Sequence, residues 1–268
     1  MNRIEKLFKE KRKNIFSVFF TAGFPTLDST SLIARALEKA GVDLIEIGIP
    51  FSDPVADGTT IQESSKIALD NGMSVKILLN QVREIRKEVS VPIILMGYLN
   101  PVLQYGFEMF CKDAAENGVD GIILPDLPFD EYNSEYRTIV EKYGILHIFL
   151  ITPTTSEDRI RKIDLLSTGF IYAISSSSIT GSNGDFSKEQ EDYFRRLNAM
   201  NLKNPFLVGF GISSHQSFYT ATEYGAGAIV GSAFIKLLKG INDFNIEIES
   251  FVKNIRAGSH KIKQPINL

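Results

Sequence analysis

The feature that most constrains the fold is a regular alternation of short apolar runs with longer helical patterns. The apolar runs are rich in Val, Ile and Phe, which favour β-strands. Several of the stretches between them open with Ser, Thr or Asp and close on Gly or Asn, which cap helices. The pattern predicts eight strands, at residues 15–22, 44–49, 92–98, 121–125, 145–152, 170–175, 205–210 and 227–231.

Strands that alternate with helices predict a parallel sheet. The chain has 268 residues, close to the roughly 250 residues of a closed (β/α)8 barrel. The competing fold is a doubly wound open sheet, which normally carries a Gly-rich fingerprint after its first strand. The segment after the first strand, "TAGFPTLDS", lacks that fingerprint. The sequence therefore predicts an α/β fold with a single (β/α)8 TIM barrel.

Both ends of the chain extend beyond the predicted barrel. Ile4, Leu7 and Phe8 share one face of a short extra helix at the N-terminus. No linker or charge block in the sequence marks a second domain. We therefore expect one barrel domain over residues 1–258 and a disordered tail over residues 259–268.

Composition excludes several classes of function. The 29 basic and 32 acidic residues give a net charge of −3, which offers no electrostatic case for binding nucleic acid or an anionic membrane. No apolar run is long enough to span a bilayer, and the N-terminus lacks a signal core. One cysteine permits no internal disulfide, so we expect a cytoplasmic protein. His147 is expected to be a satisfied core residue, and no cluster has the spacing of metal ligands.

The second predicted strand carries a carboxylate among apolar residues. Alternation places Ile45, Ile47 and Ile49 on the face towards the outer helices. Glu46 then points into the barrel, where the absent side chain of Gly48 would leave room for a ligand.

Burial raises the pKa of an unpaired carboxyl group, as proton transfer near neutral pH requires. Glu46 is therefore a candidate for proton transfer; the alternative is a glutamate that backbone donors or a buried cation satisfy. Asp57 follows in "ADG", which alone indicates a turn but beside Glu46 makes a candidate second carboxylate. Asp53, in "SDP", also has the chemistry of a turn.

The last two strands end in glycine-rich segments, "GFGIS" (209–213) and "GSAF" (231–234). Loops after the seventh and eighth strands of such barrels often bind phosphate through backbone N–H groups. Two tight turns without a ligand are the alternative. Tyr172, on the sixth strand, either offers a hydroxyl to this site or fills the core.

Taken together, the motifs resemble the alpha subunit family of tryptophan synthase from about residue 2 to residue 257. The segments that carry the resemblance are "FFTAGFP", "IEIGIPFSDPVADGTTIQ", "ITG", "GFGIS" and "GSAF", in the order and at the spacing of the family.

The resemblance implies a carbon–carbon lyase of L-tryptophan biosynthesis. Its reaction is the retro-aldol cleavage of indole-3-glycerol phosphate to indole and D-glyceraldehyde 3-phosphate. It implies no metal or organic cofactor in this subunit. It also implies a partner, the pyridoxal phosphate-dependent beta subunit, which receives indole within an alpha-beta-beta-alpha complex.

The family's functional residues match positions of this chain one by one. The catalytic positions are Glu46, Asp57 and Tyr172. The apolar positions around the indole are Phe19, Met96, Ile123 and Phe210. The positions of the mobile loop and the phosphate site are Thr180, Gly181, Gly211, Gly231 and Ser232. The positions in segments that face the partner are Asp53, Pro54 and Asn100.

The loop after the sixth strand departs from some relatives, because Ser176 stands where they carry arginine. We expect residues 175–185 to be mobile without ligand and to close with the Thr180 hydroxyl on Asp57. Two alternative functions share these residues: a free-standing lyase that releases indole, and a catalytically silent activator of the beta subunit. The intact Glu46 and Asp57 argue against the silent activator, and their strand-two motif argues against a phosphate-binding isomerase.

Overall fold

The computed structural model describes residues 1–55, 57–175 and 186–257. Within these ranges the strands form one parallel sheet that curls into a TIM barrel. The strands are β1 Ile15–Thr21, β2 Leu44–Gly48, β3 Ile93–Met96, β4 Gly121–Ile123, β5 Leu146–His147, β6 Leu150–Ile151, β7 Ile171–Ile174, β8 Phe206–Gly209 and β9 Gly227–Val230.

The predicted barrel is confirmed, and its fifth predicted strand is divided into β5 and β6. β5 pairs with β4, and β6 pairs with β7. The hydrogen bonds change sides between two consecutive residues. The N–H of Ile148 donates to the carbonyl of Ile122 at 2.9 Å, whereas the carbonyl of Phe149 accepts from the N–H of Tyr172 at 2.9 Å. One chain segment therefore bonds to both neighbours and closes the barrel.

Helices follow most strands and cover the outside of the barrel. Ser74, Ser156, Ser187 and Ser214 cap four of them, each accepting a backbone N–H three residues later. The helices are α1 Arg3–Glu10, α2 Ser29–Lys39, α3 Thr59–Asp70, α4 Val75–Ile85, α5 Leu99–Tyr105, α6 Phe107–Glu116, α7 Phe129–Glu131, α8 Arg137–Lys142, α9 Glu157–Leu166, α10 Lys188–Ala199, α11 His215–Tyr224, α12 Ser232–Leu238 and α13 Phe244–Ala257, with a π-helical turn at Tyr132–Tyr136.

The extra helix α1 closes the N-terminal end of the barrel. Asn2 begins it with a capping box that also involves Glu5. Ile4 is fully buried in the apolar cluster of the barrel interior. Gly121 and Gly169 make room for it, since a Cβ on either glycine would lie 2.9 Å from an Ile4 methyl carbon. The predicted N-terminal helix is thus confirmed and has a packing role.

Apolar side chains form two layers, one inside the barrel and one between sheet and helices. Ile45, Ile47 and Ile49 lie in the outer layer, whereas Leu44 lies in the inner one. The predicted alternation along β2 is therefore correct, and Glu46 faces the interior.

None of the helices in the described ranges is both long and apolar enough to cross a membrane. The predicted tail, residues 259–268, lies outside the described residues. The domain boundary at residue 258 stays a prediction.

A buried ion pair ties the N-terminal end of the barrel together. The carboxylate of Asp120 accepts from the guanidinium of Arg86, from Arg3 at 3.0 Å and from the N–H of Ile93 at 2.9 Å. The side chains of Asp120 and Arg86 are 4% and 9% exposed. Burial lowers the pKa of Arg86 to about 10, despite the opposing charge of Asp120. The arginine therefore depends on this carboxylate for its charge to be tolerated.

We expect Asp120→Ala to lower the free energy of unfolding by about 3–5 kcal/mol, because it leaves the buried guanidinium of Arg86 without its carboxylate partner. Urea denaturation measures the change. Glu116→Ala, which removes an exposed ion pair with Lys112, is the matched control and should leave the midpoint close to that of the unchanged protein. Equal midpoints for both variants would contradict the role of Asp120.

Candidate active site

The C-terminal ends of the strands surround a cavity of about 420 Å³. Its walls come from β1, β3, β7 and β9, from the loops that follow β2, β8 and β9, and from α3, α12 and α13. Residues predicted from the sequence that line this cavity are Phe19, Asp57, Met96, Tyr172, Phe210, Gly211, Gly231 and Ser232. The tertiary structure therefore brings these positions, which span most of the chain, to one site.

Glu46 lies inside the barrel and is 0% exposed. Its Oε1 accepts a hydrogen bond of 2.7 Å from the Ser17 hydroxyl. Its Oε2 has no hydrogen-bond partner among the described residues. Burial raises the pKa of Glu46 to about 7, and the bond from Ser17 partly opposes this rise. The carboxyl group can therefore give or accept a proton near neutral pH.

Gly48 was expected to leave room for a ligand, and the nearest space instead holds an aromatic ring. A Cβ on Gly48 would lie 2.7 Å from Cζ of Phe19. Phe19 is the register partner of Glu46 on β1, and its ring lines the main cavity. Glu46 itself does not line that cavity. Gly48 therefore leaves space for the Phe19 ring, which covers Glu46 and the other inward side chains at its level of the barrel.

Asp57 supplies a second carboxyl group at the edge of the cavity, where it is partly buried. Burial raises its pKa, and a 3.3 Å hydrogen bond from the Tyr98 hydroxyl to Oδ2 opposes the rise. Gln62 holds the backbone by donating to the Asp57 carbonyl at 2.9 Å. Sequence reasoning did not select Tyr98, although its place just after β3 was a usable signal. The expected partner, Thr180, lies outside the described residues.

Tyr172 points into the barrel interior and is 4% exposed. Burial raises its pKa well above the usual value, and the negative charges of Glu46 and Asp57 add to the rise. The hydroxyl therefore stays protonated and can serve as a hydrogen-bond donor. Gly209 is needed for this arrangement, since a Cβ there would lie 2.3 Å from the Tyr172 hydroxyl oxygen.

The turn after β8 has an unusual backbone. Phe210 and Gly211 have φ angles of 68° and 76°, a left-handed conformation that is costly for a bulky residue such as Phe. The Ser175 hydroxyl stabilises the turn by donating to the carbonyls of Gly209 and Phe210 at 3.1 and 2.7 Å. Ser175 was expected to be mobile, but it is fully buried. The rest of that loop, residues 176–185 with Ser176 and Gly181, lies outside the described residues.

The segment after β9 combines a helix start with a cation. Gly231 precedes α12, and its carbonyl accepts from the N–H groups of Phe234 and Ile235 at 2.9 and 3.1 Å. Ser232 is the first residue of the helix. Lys236 also lines the cavity and forms no ion pair with any described residue. This end of the cavity therefore has the groups that bind an anion.

Sequence reasoning missed part of the cavity wall. These residues are Ile61, Ile212, Ser213, Ile229, Ala233, Lys236 and Phe251. Lys236 could have been selected from the sequence, because it lies about one helical turn beyond Ser232 of "GSAF". Phe251 had none, because α13 is remote in the chain.

Two residues have surroundings that differ from those predicted from the sequence. Ile123 is fully buried in the barrel interior and does not line the main cavity. His147 is buried, yet neither ring nitrogen has a hydrogen-bond partner among the described residues. Burial lowers its pKa to about 3, and its ring packs 4.4 Å from that of Tyr132. The expectation of a satisfied histidine was therefore wrong: the ring is neutral and held by aromatic packing.

The predicted partner-facing positions lie at the surface. Asp53 and Asn100 are exposed and Pro54 is partly buried. Val55, beside them, is 90% exposed. Their contact with a partner stays a prediction. Within the described ranges, no group of three or more His, Cys, Asp or Glu side chains could hold a metal ion.

Comparison with known families decides the assignment. The family model described as "Tryptophan synthase alpha chain" matches residues 5–264. The chain belongs to the tryptophan synthase alpha chain family.

Relatives and solved structures of this family agree over almost the full length. The tryptophan synthase alpha chain of Flavobacterium johnsoniae is 56% identical, covering 96% of this chain and 100% of the relative. That of Bacteroides thetaiotaomicron is 54% identical, covering 91% and 95%. The alpha chain crystal structure from Legionella pneumophila superposes with a TM-score of 0.86 at 34% identity, covering 98% and 99%. A Mycobacterium tuberculosis tryptophan synthase structure gives 0.86 at 30%, covering 96% and 98%.

The buried Glu46 makes stability depend on pH in a defined direction. Between pH 4.5 and about 7 the unfolded chain releases this proton and the folded chain keeps it, so stability falls as pH rises. Glu46→Gln removes the effect. We expect the variant to gain on the order of 3 kcal/mol relative to the unchanged protein across this window.

Urea denaturation of both proteins at several pH values measures this difference. Glu116→Gln, on the exposed face of α6, is the control and should follow the unchanged protein at every pH. A constant difference between the Glu46→Gln variant and the unchanged protein from pH 4.5 to 7.5 would show that Glu46 ionises normally.

Proposed function

We propose that the chain is a carbon–carbon lyase that cleaves indole-3-glycerol phosphate to indole and D-glyceraldehyde 3-phosphate. This is the alpha reaction of tryptophan synthase in L-tryptophan biosynthesis. One observation carries the chemical part of the proposal. Two carboxyl groups lie in different environments: Glu46 is buried in the barrel interior and has a pKa of about 7, whereas Asp57 lines the cavity and is partly exposed. Such a pair can divide proton transfer and charge stabilisation between its members.

Glu46 is the proton-transfer group in this mechanism. It protonates C3 of the indole, which makes the ring an electron-poor indolenine. A proton then leaves the C3′ hydroxyl of the glycerol chain, and the bond between the ring and the chain breaks. The carboxyl group that gave the first proton takes the second, so it returns to its starting state. Because the Phe19 ring covers this layer, the substrate must displace that ring to meet Glu46.

Asp57 and Tyr172 stabilise the charge that develops on the ring. Asp57 lines the cavity, and we propose that it accepts the indole N–H and stabilises the positive charge of the indolenine. Tyr172 stays neutral beside the two carboxyl groups and offers a hydroxyl to the reacting chain. Phe19, Met96 and Phe210 provide the apolar wall for the indole, with Ile123 beneath them in the interior.

The opposite end of the cavity suits the phosphate. Gly211 and Gly231 allow the backbone to approach an anion, and Ser232 begins a helix whose N–H groups point outwards. Lys236 adds a positive charge that no described residue neutralises. The family implies that Gly181 and Thr180 complete the site when the loop closes.

We also propose that the chain works in the cytoplasm with a pyridoxal phosphate-dependent beta subunit, which receives the indole. The exposed surface at Asp53, Pro54 and Asn100 is the proposed contact. The neighbouring Val55 is an apolar side chain that solvent surrounds in the isolated chain, and a partner would cover it. We propose no cofactor for this subunit itself, as the family implies.

An indole-release assay on the purified chain tests the function. The unchanged protein should produce indole and glyceraldehyde 3-phosphate in equal amounts. Glu46→Gln should fold and lose at least roughly 10²-fold in kcat, because an amide cannot transfer the proton. Glu116→Gln is the control. Adding a beta subunit separates the alternatives: rapid release without it indicates a free-standing lyase, and no release with or without it contradicts a lyase.

The phosphate end is tested with the isosteric pair Ser232→Asp and Ser232→Asn. The aspartate places a negative charge against the phosphate, so glyceraldehyde 3-phosphate should bind roughly ten-fold more weakly or worse. The asparagine has the same shape without the charge and should cost much less. Calorimetry measures both affinities. Equal affinities for the two variants would show that the phosphate does not bind beside Ser232.

A further inference from the structure

Ser17 is a buried hydroxyl in the barrel interior, where most side chains are apolar. It lies on β1 between Ile15 and Phe19, which face the same interior, and it is 0% exposed. Its hydroxyl donates to Oε1 of Glu46 at 2.7 Å. The register neighbours of Glu46 on the two flanking strands, Phe19 and Ile94, are apolar. The hydroxyl is therefore the polar contact of this carboxyl group within the described residues.

The strand register fixes the direction of this contact. Phe19 lies opposite Glu46, whereas Ser17 lies opposite Leu44, one inward position closer to the N-terminal end of the barrel. The cavity lies at the other end. Ser17 therefore reaches Oε1 from the side that faces away from the cavity. Oε2 is left without a hydrogen-bond partner among the described residues.

In a protonated carboxyl group the carbonyl oxygen is the stronger hydrogen-bond acceptor, so a hydrogen bond donated to Oε1 favours the proton on Oε2. We propose that Ser17 is a positioning residue for Glu46, whose hydroxyl holds Oε1 and confines the exchangeable proton to Oε2. The use of that proton in catalysis rests on the proposed lyase function. The same atom would then give the first proton and take the second, so no rotation of the carboxyl group is needed between the two transfers.

Removing the hydroxyl should also change the ionisation of Glu46 in a known direction. The bond stabilises the charged form and so opposes the effect of burial on the pKa. Other ionisable groups near this carboxyl are Tyr172 on β7 and Asp57 after β2. Neither is altered by substitution at Ser17. A change in titration would therefore report the lost hydroxyl.

The test uses Ser17→Ala, Ser17→Val and Ser17→Thr. Val and Thr have the same shape and differ in the hydroxyl, so added bulk is matched between them. Difference infrared spectroscopy of each protein against its Glu46→Gln counterpart isolates the Glu46 carboxyl band without substrate. We expect the titration midpoint to rise by about one pH unit in the Ala and Val variants. The Thr variant should titrate like the unchanged protein.

In the pH profile of kcat/KM for indole release, the apparent pKa that belongs to Glu46 should rise by the same amount in the Ala and Val variants. In the Thr variant it should equal that of the unchanged protein. Equal midpoints in all four proteins would overturn the proposal, as would an equal rise in Val and Thr, which would assign the effect to volume. If Val or Thr at this position prevents folding, the comparison of Ser17→Ala with the unchanged protein still tests the proposal. The infrared titration needs no turnover, so its outcome is independent of whether the lyase function holds.

Discussion

The closed ring of parallel strands is the constraint on which the rest of the structure depends. Each strand from β1 to β4 and from β7 to β9 bonds to two neighbours, so successive residues must point alternately inwards and outwards. Along β2 this places three isoleucines against the helices and Glu46 inside. Even the divided fifth position keeps the ring closed, because its two halves bond to opposite neighbours. The position of the carboxyl group is therefore set by the sheet and not by a loop.

Two of the buried carboxylates, Asp120 and Glu46, lie in opposite environments. Asp120, at the N-terminal end, accepts hydrogen bonds from two arginines and a backbone N–H. Glu46 accepts one hydrogen bond, from a neutral hydroxyl. The first arrangement satisfies the charge and contributes structure. The second leaves the charge poorly solvated, which raises the pKa to about 7 and makes the group useful for proton transfer. Burial thus produces stability at one end and reactivity at the other.

Glycines at the cavity act by making room for particular side chains. Gly209 leaves space for the Tyr172 ring, and Gly48 leaves space for the ring of Phe19. Phe210 at the same site has a strained, left-handed backbone. The buried hydroxyl of Ser175 stabilises it by donating to the Phe210 carbonyl. Such strain is retained where the surrounding structure fixes it. The cavity therefore depends on close packing beneath it as much as on the residues that line it.

The sequence by itself determined the strand positions, the barrel and the inward direction of Glu46, because these follow from local periodicity. The family motif also selected most of the residues that meet at the cavity. Only the tertiary structure decided the partners: Ser17 for Glu46, Tyr98 for Asp57, and the Phe19 ring beside Gly48. These contacts join residues on different strands, and their distances depend on register and side-chain packing. The same reason explains His147 and Phe251, since burial without a partner and the approach of a remote helix have no local pattern in the chain.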